Sequence, residues 1–154
     1  MIKEEIIDIM KKIEKISFEL GYPITENDYI IEDMGCPHLQ PKKLKNGYAA
    51  IYMFIREYGG GFKFLKIGKA NANSNARFCS QHYGFNAPST LSKSICSDKE
   101  FIGIGVSNDN VKDWLLNNTH RINIYIKSDC GKAATELIEA ILHYKYRPRF
   151  EGNI

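Results

Sequence analysis

Tyr52 and Lys66 stand fourteen positions apart, and Arg77 and Glu139 follow them along the chain. A phenol, an ammonium, a guanidinium and a late carboxylate are groups that hydrolysis of a phosphodiester can use. That reaction needs an activated water, a held phosphate, neutralisation of the charge that builds in the transition state, and a proton for the leaving oxygen. Tyr52 is the candidate general base. Its phenol ionises ordinarily near about 10, so it needs a nearby cation such as Lys66, or hydrogen bonding of the phenolate. Arg77, eleven residues beyond Lys66, offers forked donors suited to phosphate oxygens. His82 and Tyr83 are candidates for phosphate contact or for proton transfer to the leaving group, and the sequence does not choose between them. Glu139, with His143 one turn on, is the candidate metal ligand. Magnesium takes one or two carboxylates with substrate phosphates and keeps several waters. Glu136 is the rival carboxylate, placed further toward solvent. Singly, each residue has a plainer reading: a half-buried strand tyrosine, an outward strand lysine, a surface arginine, a cover for the sheet edge, a solvated helix glutamate. Their order along the chain sets them apart.

The elements that must position them are legible in part. Residues 48 to 56 and 62 to 67 are rich in β-formers, with a glycine turn between them at Gly59-Gly60-Gly61, which predicts a hairpin carrying Tyr52 and Lys66. Asn71 to Asn75 supply cap-type residues, predicting a helix over about 76–83 with Arg77 and His82 on it. A short helix follows Pro88-Ser89-Thr90, and another spans about 111–117. Ile122, Ile124 and Ile126 alternate as in a strand. Residues 133–144 form the late helix, with Ala134, Leu137, Ile138, Ile141 and Leu142 on one face. Residues 2 to about 20 form an amphipathic helix that Gly21-Tyr22-Pro23 ends, and the stretch to Asn46 is an ordered connector. We divide the chain at 1–46, helix and connector, and 47–154, the domain bearing the candidate site.

Bulk composition fits one globular domain of 154 residues. The chain holds no apolar run near twenty residues and no uninterrupted apolar segment at its start, so neither a transmembrane helix nor a secretory signal is expected, and a cytoplasmic setting is. Four dispersed cysteines favour reduced thiols. Cys36-Pro37-His38 alone is too few ligands for structural zinc. The net charge of +3 is unevenly spread: from Pro41 to Ser97 nine bases face one acid, Glu57. A basic, tyrosine-rich middle suits a phosphate-backbone partner.

Ala50-Ile51-Tyr52, Lys66-Ile67-Gly68, Arg77, Glu139 and Pro148, in this order, resemble the GIY-YIG nuclease family. The resemblance spans roughly residues 48 to 150, about two-thirds of the chain. Leu65-Lys66-Ile67-Gly68-Lys69-Ala70 and Ser80-Gln81-His82-Tyr83 look like small bacterial members with lysine at the second-tyrosine position. Departures are Lys66 itself, Ala50 for the first glycine, and Glu151 where an asparagine often follows the proline, with Asn153 near enough to substitute. The resemblance implies an α+β fold: a small three-stranded antiparallel sheet flanked by helices, with an added N-terminal helix. It also implies a metal-dependent endonuclease acting on DNA with Mg2+ or Mn2+ at Glu139. The small size of the chain suggests that specificity comes from loops, a homodimer or a specificity partner. The alternative is a non-catalytic nucleic-acid-binding module of the same fold.

Overall fold

The computed structural model describes residues 1–151; Asn153, the substitute suggested for the missing asparagine, lies outside them. The chain is α+β, built on an antiparallel sheet of four strands in the order β1-β4-β2-β3. The strands are β1 (Tyr29–Gly35), β2 (Tyr48–Tyr58), β3 (Gly61–Ala70) and β4 (His120–Lys127). This corrects the expected three strands. The added one, β1, comes from the connector: Tyr29, Ile30 and Ile31 start it, and it pairs with β4 from Tyr29↔Ile126 onward. Its short apolar run passes straight into Glu32 and Asp33, as befits an edge strand with one wet side, and this hides the alternation from a sequence reading.

The hairpin of β2 and β3 forms as expected, because Gly60 takes φ +95° in the turn, a left-handed conformation that suits glycine. The helices are α1 (Ile2–Glu19), α2 (Asn75–Cys79), α3 (Leu91–Cys96), α4 (Lys99–Gly103), α5 (Val111–Asn118) and α6 (Lys132–Tyr146). The expected helix over 76–83 is broken. After α2, Ser80 leaves helical geometry (φ −133°, ψ −32°), and Gln81–Tyr83 form a separate 3-10 turn. The break resets the helical phase, so Arg77 stays exposed while His82 and Tyr83 are both buried.

Helices cover both faces of the sheet. On the first, Ile6, Met10 and Ile13 of α1 and Ile138 and Leu142 of α6 pack on Ile51, Met53, Ile122, Ile124 and Ile126. On the second, Ala50, Tyr52, Phe54 and Leu65 meet Phe78, Tyr83, Leu91, Ile95, Phe101 and Leu115. Two devices shape the β3 edge, where the candidate residues lie. Phe54 pairs with Lys66 but Ile55 with Phe64, leaving Leu65 as a bulge that re-aims the side chains beside it. Residues 149–150 then lie along the edge, with Arg149 N–H donating to the Phe64 carbonyl at 3.0 Å and Phe150 N–H to that of Leu65 at 2.9 Å. No helix among the described residues is long and apolar enough to cross a membrane.

Candidate active site

Tyr52 sits opposite Gly68 across the hairpin. A Cβ on Gly68 would stand 2.5 Å from the Tyr52 ring and hydroxyl. Gly68 lies inside a strand with no left-handed φ, so it does not serve a tight backbone turn. It leaves room for the tyrosine to cross β3 toward the sheet edge.

The Tyr52 hydroxyl is wholly buried and lies 2.6 Å from His82 Nε2. The other ring nitrogen of His82, Nδ1, accepts the Leu91 N–H at 3.0 Å. An N–H can only donate, so Nδ1 carries no proton, and the neutral ring has its hydrogen on Nε2. His82 therefore donates to the Tyr52 oxygen and leaves the phenol's own proton free to point elsewhere. Burial, then Lys66, Arg77 and Arg121, hold the His82 imidazole down at about 3, so it stays neutral over the working range. Both ring nitrogens are engaged within the protein, Nε2 on the Tyr52 oxygen and Nδ1 on the Leu91 N–H.

Tyr83 is not brought into the cluster either. Its buried hydroxyl donates to His38 Nε2 at 2.7 Å and accepts from Arg121 at 2.9 Å. The His38 tautomer is fixed by its Nδ1–H, which donates to the Thr119 carbonyl at 2.8 Å. His38, half of the Cys/His pair, is thus committed to this network, and Cys36 lies exposed with its thiol toward the Asn117 carbonyl.

Arg121 is the residue that sequence reading missed. Its side chain is buried, 1% exposed, and it has no carboxylate partner among the described residues. Instead it donates to Asn123 Oδ1 (3.0 Å), the Tyr83 hydroxyl and the Phe78 carbonyl (2.7 Å). Tyr52, Phe54, Phe78 and Tyr83 surround it, with Tyr52's ring centre 5.4 Å away. Asn123 in turn donates to Glu32 at the surface. No local pattern marks it: Arg121 falls between the apolar positions Ile122, Ile124 and Ile126, in phase with Asn123 and Tyr125, and the segments packed on the second face of the sheet bury it.

Charge around Tyr52 is mixed. Burial pushes the phenol up to about 12, while Arg77 and Arg121 pull it down and Glu139 opposes them. Lys66, half-buried and opposite Phe54, is held below the ordinary lysine range, first by burial and then by Arg77, with Glu139 and Glu151 working the other way. Arg77 is exposed; its Nε–H donates to the Lys69 carbonyl at 3.0 Å, and its guanidinium reaches the Tyr52 hydroxyl.

Glu139 arrives from α6 round the β3 edge. It lines an open groove of about 400 Å³ with Ala140, His143, Tyr144, Arg147 and Glu151. His143 pins α6 to that edge, its Nε2–H donating to the Ile67 carbonyl at 2.8 Å. Nδ1 of His143 is 3.6 Å from Glu151. Glu136 points away and pairs with Lys69 and Lys132, each at 3.6 Å. No cluster of three or more His, Cys, Asp or Glu ligands exists among the described residues. A caged transition metal does not fit such a donor set. A magnesium-type ion held by one or two carboxylates and completed by water and phosphate does.

Tyr52, Lys66, Arg77 and Glu139 are thus brought to one edge, with His82 behind them and Tyr83 in the layer beneath. No family model, curated protein or solved structure matches this chain.

Proposed function

We propose that the chain is a metal-dependent endonuclease of the GIY-YIG kind, hydrolysing phosphodiester bonds in DNA. The observation that carries this reading is Tyr52 laid across Gly68, with His82 donating to its oxygen and two guanidinium groups nearby. The Nε2–H of His82 and the charges of Arg77 and Arg121 favour the phenolate. In that form Tyr52 takes a proton from the attacking water. Arg77 holds a non-bridging phosphate oxygen with its guanidinium, and the Lys66 ammonium neutralises charge on the same group. Glu139 holds Mg2+ or Mn2+, an ion that supplies Lewis-acid stabilisation of the phosphate and leaving oxygen when bound. With His82 and Tyr83 both engaged inside the protein, the leaving oxygen takes its proton from solvent. The expected setting is cytoplasmic, with DNA as partner and specificity coming from a second copy or another protein.

Supercoiled plasmid incubated with Mg2+, Mn2+ or EDTA tests this. Nicking that needs metal and disappears in Glu139→Ala and Tyr52→Phe is the expected result. Nicking by Glu139→Ala at the parent rate would overturn the metal role.

One observation favours a second reading, a binding module that no longer cleaves. The Tyr52 phenol, pushed up to about 12, is almost wholly protonated at neutral pH. Salt-dependent DNA binding, weakened by changing Lys66 or Arg77, with no cleavage of plasmid, branched or single-stranded substrates, would identify it.

A further inference from the structure

Arg147 stands at the joint of two surface grooves. One is the groove of Glu139, which also holds His143 and Glu151. The other, of about 220 Å³, is lined by bases and aromatics, among them Tyr58, Lys63, Lys145 and Arg149, and by no acid. Arg149 is spoken for by Asp98 and Glu100. Lys63, Lys145 and Arg147 are exposed and form no ion pair among the described residues.

The joint itself has an unusual backbone. Arg147 ends α6 in the left-handed region, φ 46° and ψ 60°, where residues other than glycine are uncommon. That turn brings the guanidinium over the Tyr144 ring, 4.5 Å from its centre, and its Nε–H donates to the Tyr144 carbonyl at 2.8 Å. Tyr144 is 75% exposed, so it adds little to the core. An exposed ring with a guanidinium over one face, at the rim of a groove that bears the candidate metal ligand, has the parts of a stacking platform with a phosphate anchor.

We infer that this joint binds an unpaired nucleotide of a DNA strand. The base stacks on Tyr144, its phosphate lies on Arg147, and the strand continues along Lys63 and Lys145. In the nuclease reading above, on which this rests, the groove of Glu139 takes the scissile phosphate and the joint takes the strand leaving it. At about 220 Å³ the basic groove is on the scale of a single strand and not of a duplex. The preferred substrate is therefore DNA with a single-stranded flank at the cleavage point.

The test uses the full chain in EDTA, so that no turnover enters. The probe is a hairpin duplex with a short single-stranded flap whose first unpaired base is 2-aminopurine, beside a blunt hairpin of the same sequence. The expected result is tighter binding of the flap with quenched fluorescence. Tyr144→Ala should lose the quench and weaken flap binding by about tenfold or more while leaving the blunt hairpin unchanged, whereas Tyr144→Trp should keep the quench. Replacing Lys63 and Lys145 together by alanine should reduce the logarithmic salt slope by about 1.4. Equal binding of flap and blunt DNA, flap binding with the parent quench in Tyr144→Ala, or no DNA binding at all would overturn the inference. Flap quenching without plasmid nicking would remove the nuclease and leave the joint. Nicking with no flap preference would do the reverse.

Discussion

Where β2 meets β3, a hydrogen atom in place of a methyl group lets a phenol cross a strand. Gly68→Ala puts a Cβ 2.5 Å from the Tyr52 ring. The ring cannot swing away, because Phe54, Phe78 and His82 pack round it. We expect a loss of about 1–3 kcal/mol of stability, read by urea unfolding, and a fall in nicking of about a hundredfold. Protonation gives a second check. Tyr52 is held up at about 12, and its basic form is the ionised one. Below that pH the phenolate fraction grows about tenfold per pH unit, so nicking should rise with pH at that slope through the neutral and alkaline range. His82, down at about 3, adds no inflection there. Arg121→Gln removes a buried cation that favours the phenolate; the rate curve should move to higher pH, with about a tenfold loss at fixed pH for each unit moved. A rate flat in pH, or a curve unmoved in Arg121→Gln, would count against Tyr52 as the base.

Elements explain why residues from opposite faces of the sheet meet. Tyr52 belongs to the second face and α6 packs on the first, and they converge only because β3 is an edge strand. The bulge at Leu65, the backbone bonds from Arg149 and Phe150, and the bond from His143 to the Ile67 carbonyl fix that edge. His143→Ala should lower stability by about 1 kcal/mol through the lost hydrogen bond. It should also slow nicking by about tenfold by letting Glu139 drift. His143→Gln, whose amide can donate to the same carbonyl, should recover part of both. Thermal melts and plasmid nicking on the same preparations would show whether position or mere stability is at stake. Most of these elements were legible beforehand, because hairpin turn, alternation and helical spacing are local signals. The edge strand β1 and the break at Ser80 were not. β1 has too short an apolar run to alternate visibly, and Ser80 departs from the helix to bury His82 and Tyr83, a demand made by residues far along the chain.

At the scale of the whole molecule, two neutral imidazoles inside one layer link folding to acid. His38 and His82 lie at about 4 and about 3 in the folded chain, both chiefly through burial, against about 6.5 when exposed. The unfolded chain therefore binds more protons below about pH 6.5, and stability falls as pH falls from there toward the folded values. Each histidine contributes a slope of up to about 1.4 kcal/mol per pH unit across that window. The urea midpoint should thus be nearly flat from pH 8 to 7 and drop steeply from about pH 6 to 5. Replacing His38 by Gln should reduce the slope by about half. A midpoint unchanged between pH 7 and 5 would contradict the buried neutral pair.

The sequence by itself determined the hairpin and the late helix, since each rests on local spacing and residue type, and it offered Tyr52, Lys66, Arg77 and Glu139 as candidates through their order along the chain. Tertiary structure decided what those residues have for neighbours. It took His82 and Tyr83 inside, made Gly68 the space that the Tyr52 ring fills, and set Arg121 behind the phenol. Burial and hydrogen-bond partners are supplied by distant segments, and no local pattern encodes which groups will share a dry interior.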